Sequence, residues 1–246
     1  MGAIKILERL LISLSVVYIG LQFMQLEFQA AAVRTASMIL LTTLYVKKIE
    51  KKQNLFYGFL ILFTLGDIFD LMSWGYSVYI NPQFQKPFYF VGNFIYISAY
   101  VALISRIILD MNLLKAIKKF PLQTLLLIIL SVFCVYSVSE ATQNELTIAE
   151  YIMEVVYNTV IIFLMCLALI NYMYFDDKKS ILLLIGSIFV VFYEVIQLAY
   201  YYVADYRTLN LFCSLFFVMA FTFFYLQSFL KYNPPMIYNY DKFDAS

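Results

Sequence analysis

Four acidic side chains stand inside apolar stretches of this chain, where a charge is costly and chemistry is a common reason to keep one. Asp67 and Asp70 lie in the apolar run 55–74, and Glu154 and Glu194 lie in two later runs. A carboxylate near the centre of a membrane costs at least about 2.5–3.5 kcal/mol on insertion scales, so such residues face a bundle interior or a wet cavity. Neighbouring carboxyl groups can serve as a proton donor and an ionised partner in acid–base chemistry.

The composition excludes several other kinds of site. The chain has no histidine, so a Ser-His-Asp triad, a Cys-His pair and a His-ligated metal are all excluded. Cys134, Cys166 and Cys213 stand singly in apolar runs, as buried small apolar residues do. The seven glycines form no phosphate-binding loop. The sequence therefore predicts no metal and no cofactor, and leaves any chemistry to carboxylates, tyrosines and amides.

The overall composition is that of a membrane protein. Hydrophobic residues make up 63% of the 246 residues and charged residues 13%, against roughly a quarter charged in soluble domains. The formal net charge of +1 gives no reason to expect a nucleic-acid partner. We therefore predict an all-α fold, a polytopic bundle of membrane helices.

The apolar runs predict eight transmembrane helices in a single domain, 1–230, with short connections and antiparallel neighbours. The predicted spans are 9–26, 29–46, 55–75, 88–109, 121–138, 149–173, 181–204 and 207–230. Residues 231–246 form a short, polar, Pro-containing tail. A loosely held end is the simple interpretation of this tail, and docking of a protein partner is the alternative. The oligomeric state cannot be predicted.

Basic residues predict the orientation, because they concentrate in cytoplasmic loops. One side of the predicted bundle holds Lys5, Arg9, Lys47, Lys48, Lys51, Lys52, Arg106, Lys115, Lys118, Lys119, Lys178, Lys179, Lys231 and Lys242. The loops on the other side hold only Lys86 and Arg207. Both termini are therefore predicted to be cytoplasmic, and the simple pattern fits a bacterial inner membrane.

The depth of the polar side chains predicts one shared pocket. With a rise of about 1.5 Å per residue, Asp67 lies about 18 Å from the cytoplasmic end of its span and Glu194 about 20 Å. The same arithmetic places the following residues at a similar level, on two further spans: Asn93, Tyr96, Glu154, Tyr157 and Asn158. Separate hydrogen bonds between helices, worth about 0.6–2 kcal/mol each, are the simpler alternative. Three acids at one depth favour a common site in the outer half of the membrane.

Asp70 lies about three residues higher than Asp67, near the level of Arg34. An Arg34–Asp70 ion pair of structural importance is one prediction. The alternative is that Arg34 binds a lipid phosphate at the mouth of the pocket, since a guanidinium can bind phosphate through two hydrogen bonds.

Short motifs in several spans resemble those of the YhhN family of integral membrane proteins, the lysoplasmalogenases. The matching segments are Gly66-Asp67, FVGNFIY at 90–96, Val155-Val156-Tyr157 with Met165, GSIFVVFYE at 186–194, and Phe223-Phe224 with Gln227. The departures are Asn93 in place of a family histidine, Tyr193-Glu194 in place of Ser-Asp, and Arg34-Thr35 in place of Lys-Pro.

The resemblance implies hydrolysis of the vinyl ether of a lysophospholipid, releasing a fatty aldehyde. It implies a two-acid mechanism, with Asp67 and Glu194 as the catalytic pair and Asn93, Tyr96 and Tyr157 orienting water or substrate. A membrane lipid or lysophospholipid is then the expected partner. The missing histidine favours an alternative from another class, a non-catalytic lipid-binding protein or a subunit of a membrane complex. A proton-coupled transporter is the third hypothesis, although no span shows the interruption typical of transporter helices.

Overall fold

The computed structural model describes residues 2–49, 52–79, 85–204 and 206–233, and over these residues the chain is helical without strands. The elements are α1 (Gly2–Phe23), α2 (Glu27–Lys48), α3 (Asn54–Tyr79), α4 (Gln85–Asp110), α5 (Leu113–Lys119), α6 (Pro121–Glu140), α7 (Ile148–Phe175), α8 (Lys178–Tyr202) and α9 (Arg207–Ser228). The eight long helices correspond to the eight predicted spans, and α5 is an additional short helix. Most of the predicted tail lies outside the described residues.

Six of these helices, α3, α4, α6, α7, α8 and α9, are long and apolar enough to cross a membrane. The prediction of an integral, all-helical membrane protein is thereby confirmed. The helices α1 and α2 do not meet the same criterion, so the count of eight spans and the orientation of the termini stay predictions.

Local sequence signals set several helix ends. Thr147 and Glu150 form a reciprocal capping box at the start of α7, and Asp177 and Ser180 do the same for α8. Pro121 occupies the first turn of α6, where its missing N–H costs no hydrogen bond.

Seven helices form a closed ring. Contacts run in order from α1 to α2, α3, α4, α7, α8 and α9, and α9 packs back on α1. The helix α6 lies outside this ring, mainly against α7, and only 17% of its most apolar stretch is buried. Helices that follow one another in the chain are therefore neighbours around the ring, except that α4 meets α7 directly because α5 and α6 are not part of the ring.

Phenylalanines fill the middle of the ring. Phe59 of α3 stacks on Phe221 of α9 with ring centroids 5.9 Å apart and ring planes 3° apart. Phe63 lies edge-on to the Phe221 ring at 4.6 Å and to the Tyr96 ring at 4.9 Å. Gly186 of α8 allows a close approach by α9, because a β-carbon there would lie 2.7 Å from the Phe224 ring. This core separates the two ends of the ring interior.

Two of the basic side chains used to predict the orientation are buried. Arg106 lies within α4, is 2% exposed and donates a hydrogen bond to Oε1 of Gln227 on α9 at 3.0 Å. Lys179 is 3% exposed, and its Nζ lies 3.9 Å from the Tyr232 ring centroid. Arg106 and Lys179 contact neighbouring helices at the end of the bundle opposite the acidic side chains. They are therefore weaker indicators of orientation than basic residues in loops.

Candidate functional site

The acidic residues gather in the half of the ring interior that holds the first turns of α2 and the last turns of α3. A cavity of about 390 Å³, here called the main cavity, opens there between α3, α4, α7 and α8. Carboxyl groups from three helices line it, namely Asp70, Glu154 and Glu194. The structure thus brings together most of the residues that the depth arithmetic places on one level, namely Glu154, Glu194, Asn93, Tyr96 and Tyr157, and Arg34 joins them from its higher level.

Asp67 lies behind this cavity. It is 3% exposed, and its Oδ1 accepts a hydrogen bond of 2.7 Å from Nη2 of Arg34, while its backbone oxygen accepts one from Thr35. Asp67 lines a second cavity of about 250 Å³, the side cavity, between α1, α2, α3, α8 and α9. Its Oδ2 is buried without a hydrogen-bond partner.

The structure corrects the predicted partner of Arg34. The ion pair within 4 Å joins Arg34 to Asp67, and Asp70 is instead bonded to Tyr96 at 2.7 Å. Arg34 also donates to the Tyr193 hydroxyl at 2.9 Å and lies 4.5 Å from the Phe217 ring centroid. Depth alone could not distinguish Asp67 from Asp70, because the choice depends on how α2 and α3 are rotated about their own axes.

One tyrosine connects the two aspartates. The Tyr96 hydroxyl lies 2.8 Å from Oδ1 of Asp67 and 2.7 Å from Oδ2 of Asp70. A tyrosine hydroxyl carries a single proton, so it donates to one of these oxygens, and the other short contact needs a proton from a carboxyl group. The pairing of Arg34 with Asp67 favours an ionised Asp67, and so favours Asp70, whose side chain is exposed to the cavity, as the carboxyl group that carries this proton.

Glu194 is held by two hydroxyl groups. Its Oε1 accepts hydrogen bonds from Tyr100 at 2.7 Å and from Tyr157 at 2.8 Å. Two donors on one oxygen fit an ionised carboxylate, which has acceptor sites only. Glu194 is 8% exposed and lines the main cavity, so Tyr100 and Tyr157 hold its carboxylate where a molecule in that cavity would contact it.

Glu154 and its neighbours complete the lining on α4 and α7. Glu154 accepts hydrogen bonds from the Tyr89 hydroxyl at 3.1 Å and from the Asn158 amide at 3.4 Å. Asn158 also contacts Ser139 Oγ at 3.4 Å, and it is not part of the cavity wall. The Asn93 amide donates to the Tyr89 backbone oxygen at 2.9 Å and holds no carboxylate.

Three tyrosines of the candidate site were not predicted: Tyr89, Tyr100 and Tyr193. A sequence signal exists for the first two, because Tyr89, Asn93, Tyr96 and Tyr100 recur at helical spacing along one face of α4. Tyr193 has no such signal, since it adjoins Glu194 in the chain while its hydroxyl points to Arg34.

Gly66 allows the Tyr96 ring to pack closely against α3. A β-carbon at Gly66 would lie 2.7 Å from Cε1 of Tyr96 and 2.9 Å from its Cζ. Because the Tyr96 hydroxyl is fixed by both aspartates, we expect Gly66→Ala to lower the free energy of unfolding by about 1–3 kcal/mol, measured with a denaturing detergent in mixed micelles.

The matched control for Gly66→Ala is Gly58→Ala in the same helix, where no heavy atom lies within 4 Å of the new methyl group. That change should leave the stability unchanged or raise it by up to about 1 kcal/mol, because alanine favours helix. Equal losses for the two variants would contradict the contact between Gly66 and Tyr96.

No cluster of three or more Cys, Asp or Glu side chains suited to a metal ion occurs among the described residues.

Comparisons of the chain with protein-family models, with curated proteins and with solved structures found no match. The resemblance to the YhhN family therefore stays a prediction from short motifs. The structure shows an integral membrane protein with carboxyl and tyrosine side chains around a cavity inside its helix ring.

Proposed function

We propose that this protein is a membrane-embedded hydrolase that cleaves the vinyl ether of a lysolipid. The observation that carries the proposal is the pair of unlike carboxyl groups on the wall of the main cavity. Asp70 holds a proton shared through Tyr96, and Glu194 is an acceptor for two tyrosine hydroxyls. A proton donor facing a carboxylate is the arrangement by which glycosidases handle an oxocarbenium ion.

The reaction uses the two groups in turn. Asp70 gives its proton to the vinyl carbon remote from oxygen, and the electrons of the double bond form the new C–H bond. The adjacent carbon becomes an oxocarbenium ion, which the Glu194 carboxylate stabilises. Water then adds to that carbon and loses a proton to a carboxylate, and the hemiacetal collapses to a fatty aldehyde and the free alcohol of the lysolipid.

Asp70 thus replaces Asp67 in the predicted catalytic pair, and Glu194 is kept. Asp67 becomes a positioning residue, because it holds Arg34 and Tyr96 in place without lining the main cavity. The alternative role of Arg34 as a phosphate ligand is disfavoured, since two of its nitrogens already bind Asp67 and Tyr193.

A third space, an apolar groove, favours a substrate that has both an apolar and a polar part. It has a volume of about 360 Å³, runs between α1, α2 and α9, and is lined by apolar side chains such as Leu41, Phe217 and Phe221. Arg34 lies at one end of this groove and also lines both polar cavities. A hydrocarbon chain in the groove would thus be connected to a polar group in the cavities.

The lengths of α1 and α2 also allow them to span a membrane. A helix of 22 residues extends about 33 Å, which is enough to cross the hydrocarbon core. We propose that α1 and α2 therefore complete an eight-span bundle with cytoplasmic termini, in a bacterial inner membrane.

The test uses purified protein in a neutral detergent, with lysoplasmalogen and with the alkyl-ether lysolipid that lacks only the double bond. We expect aldehyde release from the first and none from the second, because only a vinyl ether can be protonated to an oxocarbenium ion. In D₂O, with the aldehyde trapped as it forms, the product should carry one deuterium at carbon 2. Cleavage of both ethers, or an aldehyde without deuterium, would contradict vinyl protonation.

A non-catalytic binding protein is the second candidate. The absence of histidine, together with the many aromatic residues around the main cavity, favours it. Saturable binding of the lysolipid with no aldehyde release would support this alternative.

A further inference from the structure

The C-terminal segment of the chain packs across the end of the helix ring opposite the main cavity. Residues 230–233, here called the lid, follow α9 and reach the connection between α7 and α8. The Tyr232 ring stacks on Phe175 at the end of α7, with ring centroids 4.3 Å apart and ring planes 19° apart. The Asn233 N–H donates a hydrogen bond of 2.8 Å to Oδ2 of Asp177, the residue before α8. The lid therefore connects α9 to both α7 and α8.

A buried lysine lies beneath the lid. Lys179 is 3% exposed, and its Nζ lies 3.9 Å from the Tyr232 ring centroid. In the described part of the chain, no acidic side chain lies within 4 Å of this Nζ. An ammonium group is attracted to the face of an aromatic ring. The Tyr232 ring thus covers Lys179, whereas the preceding residue, Lys178, is exposed.

Further polar groups lie behind Lys179. Arg106 interacts electrostatically with Lys179 and with Tyr232, and it is 2% exposed. Its Nη2 donates to Gln227, but Nη1 of Arg106 and Nε2 of Gln227 have no hydrogen-bond partner among the described residues. A buried donor without a partner is costly, and contact with water would supply the missing acceptors. These groups therefore favour an open form of the lid.

The contacts of the lid are few for the length of chain that they order. Beyond α9, the polar and aromatic contacts of the described lid residues are one ring stack, one cation–π contact and one backbone hydrogen bond. Each such contact contributes a net free energy similar in size to the conformational entropy lost when one residue is fixed. Pro234 and Pro235 follow Asn233 and have no N–H, so the sequence supplies no backbone donor directly after the lid. Gains and costs of similar size favour exchange between a closed and an open form.

We propose that residues 230–233 are a reversible lid, which closes this end of the bundle and opens without unfolding of the helix ring. When the lid opens, water reaches Lys179 first and then the Arg106 and Gln227 side chains. The open form thus presents two cations that the closed form hides. This inference does not rest on the proposed hydrolase, because the phenylalanine core lies between this end of the ring and the main cavity.

Adjacent lysines make the opening measurable in the full-length protein. We would treat purified protein in a neutral detergent with a water-soluble acetylating reagent, and measure Lys178 and Lys179 separately by fragmentation mass spectrometry. Cys213, which is buried in the core, reports unfolding of the ring through its reaction with a maleimide. Lys179 should react about tenfold or more slowly than Lys178, because only the open fraction reacts, while Cys213 stays unlabelled.

Three variants identify the contacts that hold the lid closed. Tyr232→Ala removes the ring stack and the cation–π contact, so it should raise the acetylation rate of Lys179 about fivefold or more. Asn233→Pro removes only the N–H that binds Asp177 and should raise the rate by a smaller factor. Tyr232→Phe is the control, since it keeps the ring and should keep Lys179 protected. Lys178 should react at the same rate in all three variants.

Three results would overturn the inference. Acetylation of Lys179 as fast as that of Lys178 in the wild type would show that no lid protects it. Reaction of Lys179 only together with Cys213 would show that the segment leaves only when the ring unfolds. An unchanged rate in Tyr232→Ala would show that other groups cover Lys179. Slow acetylation that Tyr232→Ala accelerates, with Cys213 unlabelled, would uphold the lid whatever the outcome of the aldehyde assay.

Discussion

Glu194→Gln is expected to lower the rate of aldehyde release by about 10²–10³-fold, the range found when a preorganised electrostatic contact to a transition state is removed. Glutamine has nearly the same shape, so Tyr100 and Tyr157 keep a hydrogen-bond acceptor, but the negative charge is lost. The effect should fall on kcat and not on the apparent affinity for a neutral lysolipid analogue, since the cation forms only during the reaction.

The controls for Glu194→Gln separate charge from shape. Glu194→Asp keeps the charge and should recover part of the rate, whereas Tyr157→Phe removes one of the two hydroxyl donors and should have a smaller effect. Glu145→Gln should have none, because Glu145 is exposed in the connection between α6 and α7 and lines neither polar cavity nor the apolar groove. If Glu194→Gln and Glu145→Gln were equally active, Glu194 would have no part in the chemistry.

Replacing Arg34 with methionine is expected to have the largest effect on stability, a loss of about 3–5 kcal/mol in the free energy of unfolding. The change leaves Asp67 buried at 3% exposure with an uncompensated charge, and breaking a buried pair on one side costs this much. The measurement is unfolding in mixed micelles with a denaturing detergent, at several protein concentrations.

The double variant Arg34→Met/Asp67→Asn tests the cause. With both charges gone, most of the lost stability should return, because a buried ion pair and an apolar replacement often have similar net free energies. If the stability loss of the double variant equalled the sum of the losses of the two single variants, Arg34 would act through packing on Phe217 and Tyr193 and not through its pairing with Asp67.

The sequence could locate the level of the site but not its internal pairing. Glu154, Glu194, Asn93 and Tyr96 converge as expected, because a regular helix rise converts residue number into depth. Depth carries no information on the rotation of each helix about its axis. For that reason Asp67 and Asp70 could be placed in the same half of the bundle but not given their partners.

The helix arrangement was predictable to a similar degree. Alternating apolar runs and short connections indicate a bundle of long helices, and the observed ends lie near the predicted ones except at α1, which begins at Gly2 and not at residue 9. The position of α6 outside the ring could not be predicted, because α6 is as apolar as the helices that form the ring. Hydrophobicity shows that a helix can enter a membrane, but not whether its neighbours there are lipids or other helices.

The closure of the ring by α1 and α9 has a consequence for biosynthesis. Arg34 and Asp67 are 33 residues apart in the chain. At a synthesis rate of about 5–20 residues per second, Asp67 is therefore made only about 2–7 s after Arg34. The phenylalanine core is completed much later, because Phe217 and Phe221 belong to the last helix of the ring. Until α9 is made, α1 and α8 lack the neighbour that joins them, and the side cavity lacks the wall that Asn210 of α9 provides. Nascent chains stalled before α9 should therefore be the forms most exposed to membrane quality control.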